Sequence, residues 1–568
     1  MKKLLTLFAF SLLIPMAAPA MAQNAGTAAS AHPEATKAGF EMLQAGGSAT
    51  DAAMAMMLAL TVVEPQSSGI GGGGFFLHND GKNGWMETID GREMAPAAAS
   101  EDRFLDAEGK PLGWRQATPG GKSVGVPGNM RLMEMAHKKW GKLPWAKLFE
   151  PAIRLADQGY AVSAPQYDWL KRLEKLWVKF PDMQKLYWRN GAPAPRGTII
   201  KNPELADLLR DLQSGGADAF YSGATAAAIS AAVANAPQNP SAITAEDFSN
   251  YRAILRRPVC STYREYRICG MGPPSSGATT VLQILGSIER FDMSRLYKDE
   301  PARAWHVIGE AMRLAYADRE KYLADQDFVS VPVDGLIDKN YLAERSALIA
   351  LQRVRPEFPD METYPAGHPP GAMPRTAALS SEVAGTTHFT AVDSDGNIAN
   401  MTSTVEGPFG SQLLARGMVL NNELTDFTFA PEKNGALVAN RVQAGKRPLS
   451  SMSPTIVYNA EGNPILALGS AGGKRIIMHV TKTLIGVLDY GLTLEQAMAM
   501  PNIYFGGAGL LIENNSDLVA LKNDLARLGH TVVTSNLPSK LAGAQKTEQG
   551  WVGAVDPRST GEAVSELP

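Results

Sequence analysis

The stretch EVAGTTHFTAVDSDGNIANMTSTVEG, from Glu382 to Gly407, constrains this chain more than any other. Two runs of β-branched and apolar residues flank an Asp-Gly turn, the pattern of a β-hairpin. Asp393-Ser394-Asp395-Gly396-Asn397 suits a three-residue loop, a type I turn followed by glycine in the left-handed region. Asp393 then pairs with Asn397, Val392 meets Ile398, Phe389 meets Met401, and Thr386 meets Thr404. A two-residue loop shifts the register and sets Thr387 opposite Thr404 instead. Directly opposed side chains share a face. In either register a threonine at the start of the first strand lies beside a second hydroxyl.

The segment before this hairpin, Arg355 to Gly385, is rich in proline, glycine and small residues and lacks periodicity. It reads as an exposed linker, and an irregular run of ~30 residues inside a compact protein is either functional or disordered. A threonine behind such a linker permits a special chemistry. If the chain is cut between Gly385 and Thr386, Thr386 acquires a free α-amine. Such an amine titrates near ~8 in model peptides and can act as base for the residue's own hydroxyl. No histidine is then required. The same hydroxyl can make the cut by attacking the Gly385 carbonyl. Threonine is also a favoured strand residue for packing reasons alone, so the motif by itself does not decide.

The remaining chain narrows the class. The first residues, MKKLLTLFAFSLLIPMAAPAMAQ, carry a basic start, a short apolar run and an Ala-Met-Ala site, the form of a secretory signal peptide over 1–22. The apolar run is short for a membrane span of ~20 residues. A soluble, exported protein is expected, periplasmic where the host has an outer membrane. HPEATKAGFEMLQAGGSATDAAMAMMLALTVVEP reads as two helices broken at Gly46-Gly47, with Ser48 and Asp51 forming a cap. Helical patterns dominate from Asn129 to Ala234 and from Ala302 to Ala324. Strands are expected at Phe75–His78, His388–Asp393, Ile398–Thr404, Thr455–Tyr458 and Ile465–Leu468. Further helices are expected near Lys474–Asp489 and Asp517–Leu528, the latter with Ser516 as cap. The mixture is α/β or α+β.

The two cysteines lie in VCSTYREYRICG. A hairpin centred on Arg264-Glu265 pairs Tyr263 with Tyr266 and sets Cys260 opposite Cys269, where an exported protein can hold a disulfide. Two free thiols are the alternative, since Arg-Glu is a poor tight-turn pair. Several other motifs fail. QATPGGKS has Gln116 where a P-loop needs its first glycine. GIGGGG lacks the strand–turn–helix context of a dinucleotide site. No G-x-S-x-G elbow, H-E-x-x-H or paired C-x-x-C occurs, so no metal or organic cofactor is expected. A net charge of -3 gives no reason to expect nucleic acid or an anionic membrane as partner.

Stretches spread along the chain then carry a resemblance. Thr386-Thr387-His388-Phe389 is joined by GREMAP (Gly91–Pro96), SVGVPG (Ser123–Gly128), GPPSSG (Gly272–Gly277), LNNELTDF (Leu420–Phe427), KRPLSSMSPTIV (Lys446–Val457) and GSAGGKRI (Gly469–Ile476). In this order they resemble the γ-glutamyltranspeptidases of the N-terminal nucleophile hydrolase superfamily. The resemblance implies an α+β, four-layer αββα sandwich shared by a large subunit, 23–385, and a small catalytic subunit, 386–568, cut from one precursor at Gly385-Thr386. It implies Thr386 as nucleophile, Thr404 as its orienting hydroxyl, and Gly472 and Gly473 as backbone donors to the oxyanion. Arg92, Ser450 and Ser451 match residues binding the donor α-carboxylate, and Glu423 and Asp426 those around its α-ammonium. Glu406 departs from the pattern, standing where many members carry asparagine. Residues 427–449 cover the place where some members carry a lid. The implied activity is γ-glutamyl transfer from glutathione and related compounds to water, amino acids or dipeptides, without a cofactor. A glutaryl or cephalosporin acylase of the same fold and a non-catalytic periplasmic binding protein are the rival readings.

Overall fold

The computed structural model describes residues 26–358, 364–378, 385–507 and 509–566. The expected signal peptide lies outside them. Thirteen strands build the two central sheets. Before residue 385 come β1 (Gly26–Ser30), β2 (Gly73–Asn79), β3 (Met86–Gly91), β4 (Ile254–Arg256), β5 (Val259–Tyr263) and β6 (Tyr266–Gly270). After it come β7 (Thr386–Val392), β8 (Ile398–Thr404), β9 (Thr455–Tyr458), β10 (Pro464–Gly469), β11 (Ala542–Thr547), β12 (Gly550–Val555) and β13 (Glu562–Glu566). The first sheet has the order β13-β1-β7-β8-β2-β3-β4 and the second β12-β11-β10-β9-β6-β5.

Helices cover the outer faces. α1 (Pro33–Gln44) and α2 (Ala49–Val63) lie on the first sheet; α3 (Gly277–Ile288), α4 (Pro301–Tyr322) and α5 (Arg475–Leu488) belong to the core of the second. Between the sheets, Phe75, Leu77, Val392 and Ile398 of the first pack with Ile456, Tyr458 and Ala467 of the second. The result is an αββα sandwich. All fifteen residues of α2 are buried, which fits its unbroken apolar run. Ser48 and Asp51 close its N-terminus reciprocally, Asp51 N–H to Ser48 Oγ at 3.1 Å and Ser48 N–H to Asp51 Oδ2 at 2.8 Å.

The three-residue turn sets the hairpin register. Asp393 N–H donates to Asn397 O at 3.1 Å, Gly396 takes φ 79°, and Thr386 stands opposite Thr404. The cysteine hairpin has the expected pairing, with Tyr263 opposite Tyr266 and Cys260 joined to Cys269 in a disulfide.

Three expectations change. The helix at Asp517–Leu528 is a 3-10 turn, Asp517–Leu521, followed by a short α-helix, Lys522–Arg527. Ser516 does not cap it, because its hydroxyl donates backward to Glu513 O at 2.7 Å. The helical region 129–234 also holds the two-residue strands Tyr160–Ala161, Trp188–Arg189, Ala192–Pro193 and Ile199–Ile200, too short to leave a period. The stretch read as an exposed linker is irregular over 364–378, but Tyr364 and Ala378 are buried, so part of it lies against the body. Residues 359–363 and 379–384 of that reading lie outside the described residues.

Candidate active site

Thr386 begins β7 and is 4% exposed. Its Oγ1 lies 3.2 Å from Thr404 Oγ1 at the far end of β8. The Thr404 hydroxyl donates to the Gly385 carbonyl at 2.9 Å, and Glu406 N–H donates to Thr404 Oγ1 at 2.8 Å. A hydroxyl has one proton, so with Thr404 serving Gly385, Thr386 is the donor in the threonine pair. The carbonyl preceding Thr386 is thus polarised, and the Thr386 proton already points to an acceptor.

Histidine takes no part. His388 shares the Thr386 face of β7, but its Nδ1 lies 2.8 Å from Thr402 Oγ1 and its Nε2 2.9 Å from Asn400 Oδ1. Burial holds its pKa down to about 3, against the smaller upward pull of Asn400, so it stays neutral.

Two cavities meet at Thr386. The smaller, about 10 Å³, is lined by Arg92, Thr404, Glu406, Glu423, Asp426, Ser450, Ser451 and Gly473. Each of these was a candidate from the sequence; Met452 and Ile476, which complete the lining, were not. Gly472 lines the second cavity, again with Thr386. Both glycines have φ in the left-handed range, 146° and 60°. A Cβ on Gly472 would come within 2.8 Å of His479 Cε1, so this backbone has no room for a side chain.

Arg92 leaves β3 into the small cavity. Nη1 donates to Glu423 Oε1, and Nη2 donates to Asp426 Oδ2 at 2.5 Å and Leu449 O at 2.9 Å. Nε donates to Pro448 O at 3.2 Å. Burial disfavours this cation, but Glu423, Asp426 and Glu93 outweigh it and hold its pKa above the ordinary arginine range. Burial pushes Glu423 well above the usual carboxyl range, reinforced by Glu93 and Glu406 and opposed by Arg92. Glu93 rises to about 7, chiefly by burial, with Arg92 opposing. Glu406 sits at φ 73°, and Asn422 Nδ2 donates to its Oε2. Four acids around one arginine leave the pocket short of positive charge. A cationic ligand would relieve that, and a carboxylate ligand would displace Glu423 or Asp426 from the Arg92 fork. A cavity of about 10 Å³ holds roughly one water, so ligand entry requires these side chains to give way.

The serines stand on a β6–α3 scaffold. Ser450 N–H donates to Pro274 O at 3.0 Å, its Oγ accepts from Met452 N–H at 3.2 Å, and Arg319 of α4 donates to Ser451 Oγ at 2.8 Å. Residues 427–449 contribute no wall to the small cavity; they carry an exposed pair of two-residue strands, Glu432–Lys433 and Ala436–Leu437. Sequence reasoning missed Glu93, Glu64, Thr387 and Lys540. Glu93 had a signal, its place beside Arg92; a Cβ on Gly73 would come within 2.3 Å of its Oε2, which marks that glycine as space kept for the carboxylate. Among the described residues, the one His/Cys/Asp/Glu group that could hold a metal ion is His306, Glu310 and His530, which lines neither cavity.

The sequence model of a family described as Gamma-glutamyltranspeptidase matches residues 35–566. A glutathione hydrolase proenzyme of Bacillus subtilis (strain 168) is 37% identical over 488 residues, covering 84% of this chain and 80% of the relative. One of Escherichia coli (strain K12) is 37% identical over 487 residues, with the same shares. Among solved structures, a cephalosporin acylase from Bacillus halodurans superposes with a TM-score of 0.83 at 25% identity, covering 98% of this chain and 99% of that one.

Proposed function

This chain belongs to the γ-glutamyltranspeptidase family, and from that premise we propose that Thr386 is the nucleophile of its reaction and the residue at which its precursor is cut. The protein is a γ-glutamyltransferase and glutathione hydrolase made as a proenzyme. The observation that carries the assignment to Thr386 is its hydroxyl, 3.2 Å from Thr404 Oγ1 and at the junction of an acid-lined cavity and a glycine pair.

In the precursor, Thr386 Oγ attacks the Gly385 carbonyl, which Thr404 polarises. The C–N bond breaks, the α-amine of Thr386 leaves with the proton, and water hydrolyses the ester. The large subunit is then 23–385 and the small subunit 386–568, held as one αβ pair. In the mature enzyme the freed α-amine takes the Thr386 hydroxyl proton as Oγ adds to the γ-carbonyl of the donor. Gly472 and Gly473 supply N–H groups to the oxyanion. Collapse breaks the amide, and the departing amine carries the proton away. Water or an acceptor amine then resolves the γ-glutamyl ester. Arg92, Ser450 and Ser451 hold the donor α-carboxylate, while Glu406, Glu423 and Asp426 hold its α-ammonium. The leader over 1–22 carries the chain to the periplasm. Among the described residues no helix is long and apolar enough to cross a membrane.

Two measurements test this. N-terminal sequencing of the smaller band on a denaturing gel is expected to start at Thr386, with Thr386→Ala leaving one uncut band. An uncut wild-type band, or another start, would refute the assignment. Turnover of γ-glutamyl-anilide is expected to exceed that of glutaryl-anilide, because only the former offers an ammonium to the acidic cluster. A strong glutaryl preference would favour an acylase.

A further inference from the structure

We propose that Lys540 anchors a carboxylate on the amine half of the substrate, the half that leaves as Thr386 is acylated and that an acceptor replaces. The inference rests on the γ-glutamyl reading above. The second cavity, about 180 Å³, is lined by Glu64, Trp169, Thr386, Gly472, Ser539 and Lys540, among others. Thr386 belongs to both cavities. With the glutamyl group on the acid-lined side, the nitrogen side of the scissile amide projects into this second one.

Lys540 is tied to the reaction centre at both ends. Its Nζ donates to Glu64 Oε1 at 2.8 Å and to Ser67 Oγ at 3.0 Å. The other Glu64 oxygen accepts from Thr387 Oγ1 at 2.5 Å, one residue from the nucleophile. The Lys540 backbone carbonyl accepts from Ala471 N–H at 3.3 Å, one residue before the glycine pair. An ammonium has three donors, and two are engaged here. The side chain is 26% exposed, so a ligand can reach it. Arg558 lines the same cavity, but its guanidinium is committed to Glu513, Asp556 and the carbonyls of Met498, Ala499 and Met500. Lys540 is therefore the cation with capacity for a ligand. With each Glu64 oxygen already engaged, by Lys540 or by Thr387, the outward side of the ammonium serves the incoming group. The ligand class is an amine bearing a free carboxylate, an amino acid or the end of a short peptide.

The test compares glutathione with its C-terminal amide as donors, by glutamate release from the cleaved enzyme. Wild type is expected to favour the acid by about tenfold in kcat/KM, the scale of one charge-assisted hydrogen bond. Lys540→Met is expected to abolish that ratio, and Lys540→Arg to restore part of it. Equal use of both donors by wild type would overturn the proposal without any variant. So would a Lys540→Met enzyme that loses activity on both donors alike, since a merely structural lysine does that. Failure of wild type to release anilide from γ-glutamyl-anilide would instead remove the underlying reading, and the proposal with it.

Discussion

At the residue scale the proposed chemistry rests on three oxygen atoms: Thr386 Oγ1, Thr404 Oγ1 and Gly385 O. Thr404 donates to the carbonyl and accepts from Glu406 N–H. Thr404→Val keeps the shape and removes the donor. Losing one oxyanion-type donor costs about 10²–10³ in rate, so a time course of the two bands on a gel is expected to show processing slowed on that scale. Cleavage at the wild-type rate would mean Thr404 is not the polarising group. The acids beside Arg92 make a second residue-scale prediction. Glu93 titrates at about 7 in the folded protein against an ordinary 4.5. Between those values the folded state binds the proton more tightly than the unfolded chain, so stability falls as pH rises through the window and levels off above it. Ligand-free enzyme is expected to lose melting temperature from pH 5 to 7, and Glu93→Gln to reduce that slope. An unchanged slope in the variant would place the titration elsewhere.

At the scale of elements, the β7–β8 hairpin converts a turn into an active-site distance. Asp393 organises the turn: Oδ1 accepts from Asp395 and Asn397 N–H, each at 3.0 Å, and Oδ2 accepts from Ala49 N–H at 3.0 Å at the start of α2. Asp393→Ala strands these donors, at about 1–3 kcal/mol for a buried unsatisfied group. It is expected to lower the melting temperature and to slow cleavage at Gly385-Thr386, although Asp393 lies seven residues from Thr386. Cleavage unaffected in a destabilised variant would show that the far end of the hairpin holds its own register. The hairpin and its two candidate registers were legible in the sequence because turn type and strand alternation are local, and the folded structure takes the three-residue turn that sets Thr386 opposite Thr404. The helix at Asp517 was not read correctly, because the choice of Ser516 between capping forward and bonding Glu513 backward depends on a strand end.

At the scale of the whole molecule, the chains on either side of Gly385 are interleaved. The first sheet alternates β1 and β2–β4 from before Gly385 with β13, β7 and β8 from after it; the second adds β5 and β6 to β9–β12. Every strand junction between the pieces is a ladder of hydrogen bonds over a shared core, so cutting one peptide bond leaves those contacts intact. The two fragments are expected to co-elute in gel filtration and to separate only when denaturant unfolds the core; separation under native conditions would contradict this fold. The hairpin with a threonine opposite Thr404, the α2 cap and the order of the motifs were determined by the sequence, since each rests on neighbours in the chain or on short repeating patterns, whereas the fold chose between the two turn registers and between a disulfide and two free thiols. Arg92, Glu423, Asp426 and Ser450 were legible as motif members, but their meeting around Thr386 was decided by the tertiary structure. So were Glu93 as a fourth buried acid and Lys540 in the second cavity at Thr386. Lys540 reaches Glu64 across 476 positions of chain, and no local pattern encodes a contact that only the packing of two sheets brings about.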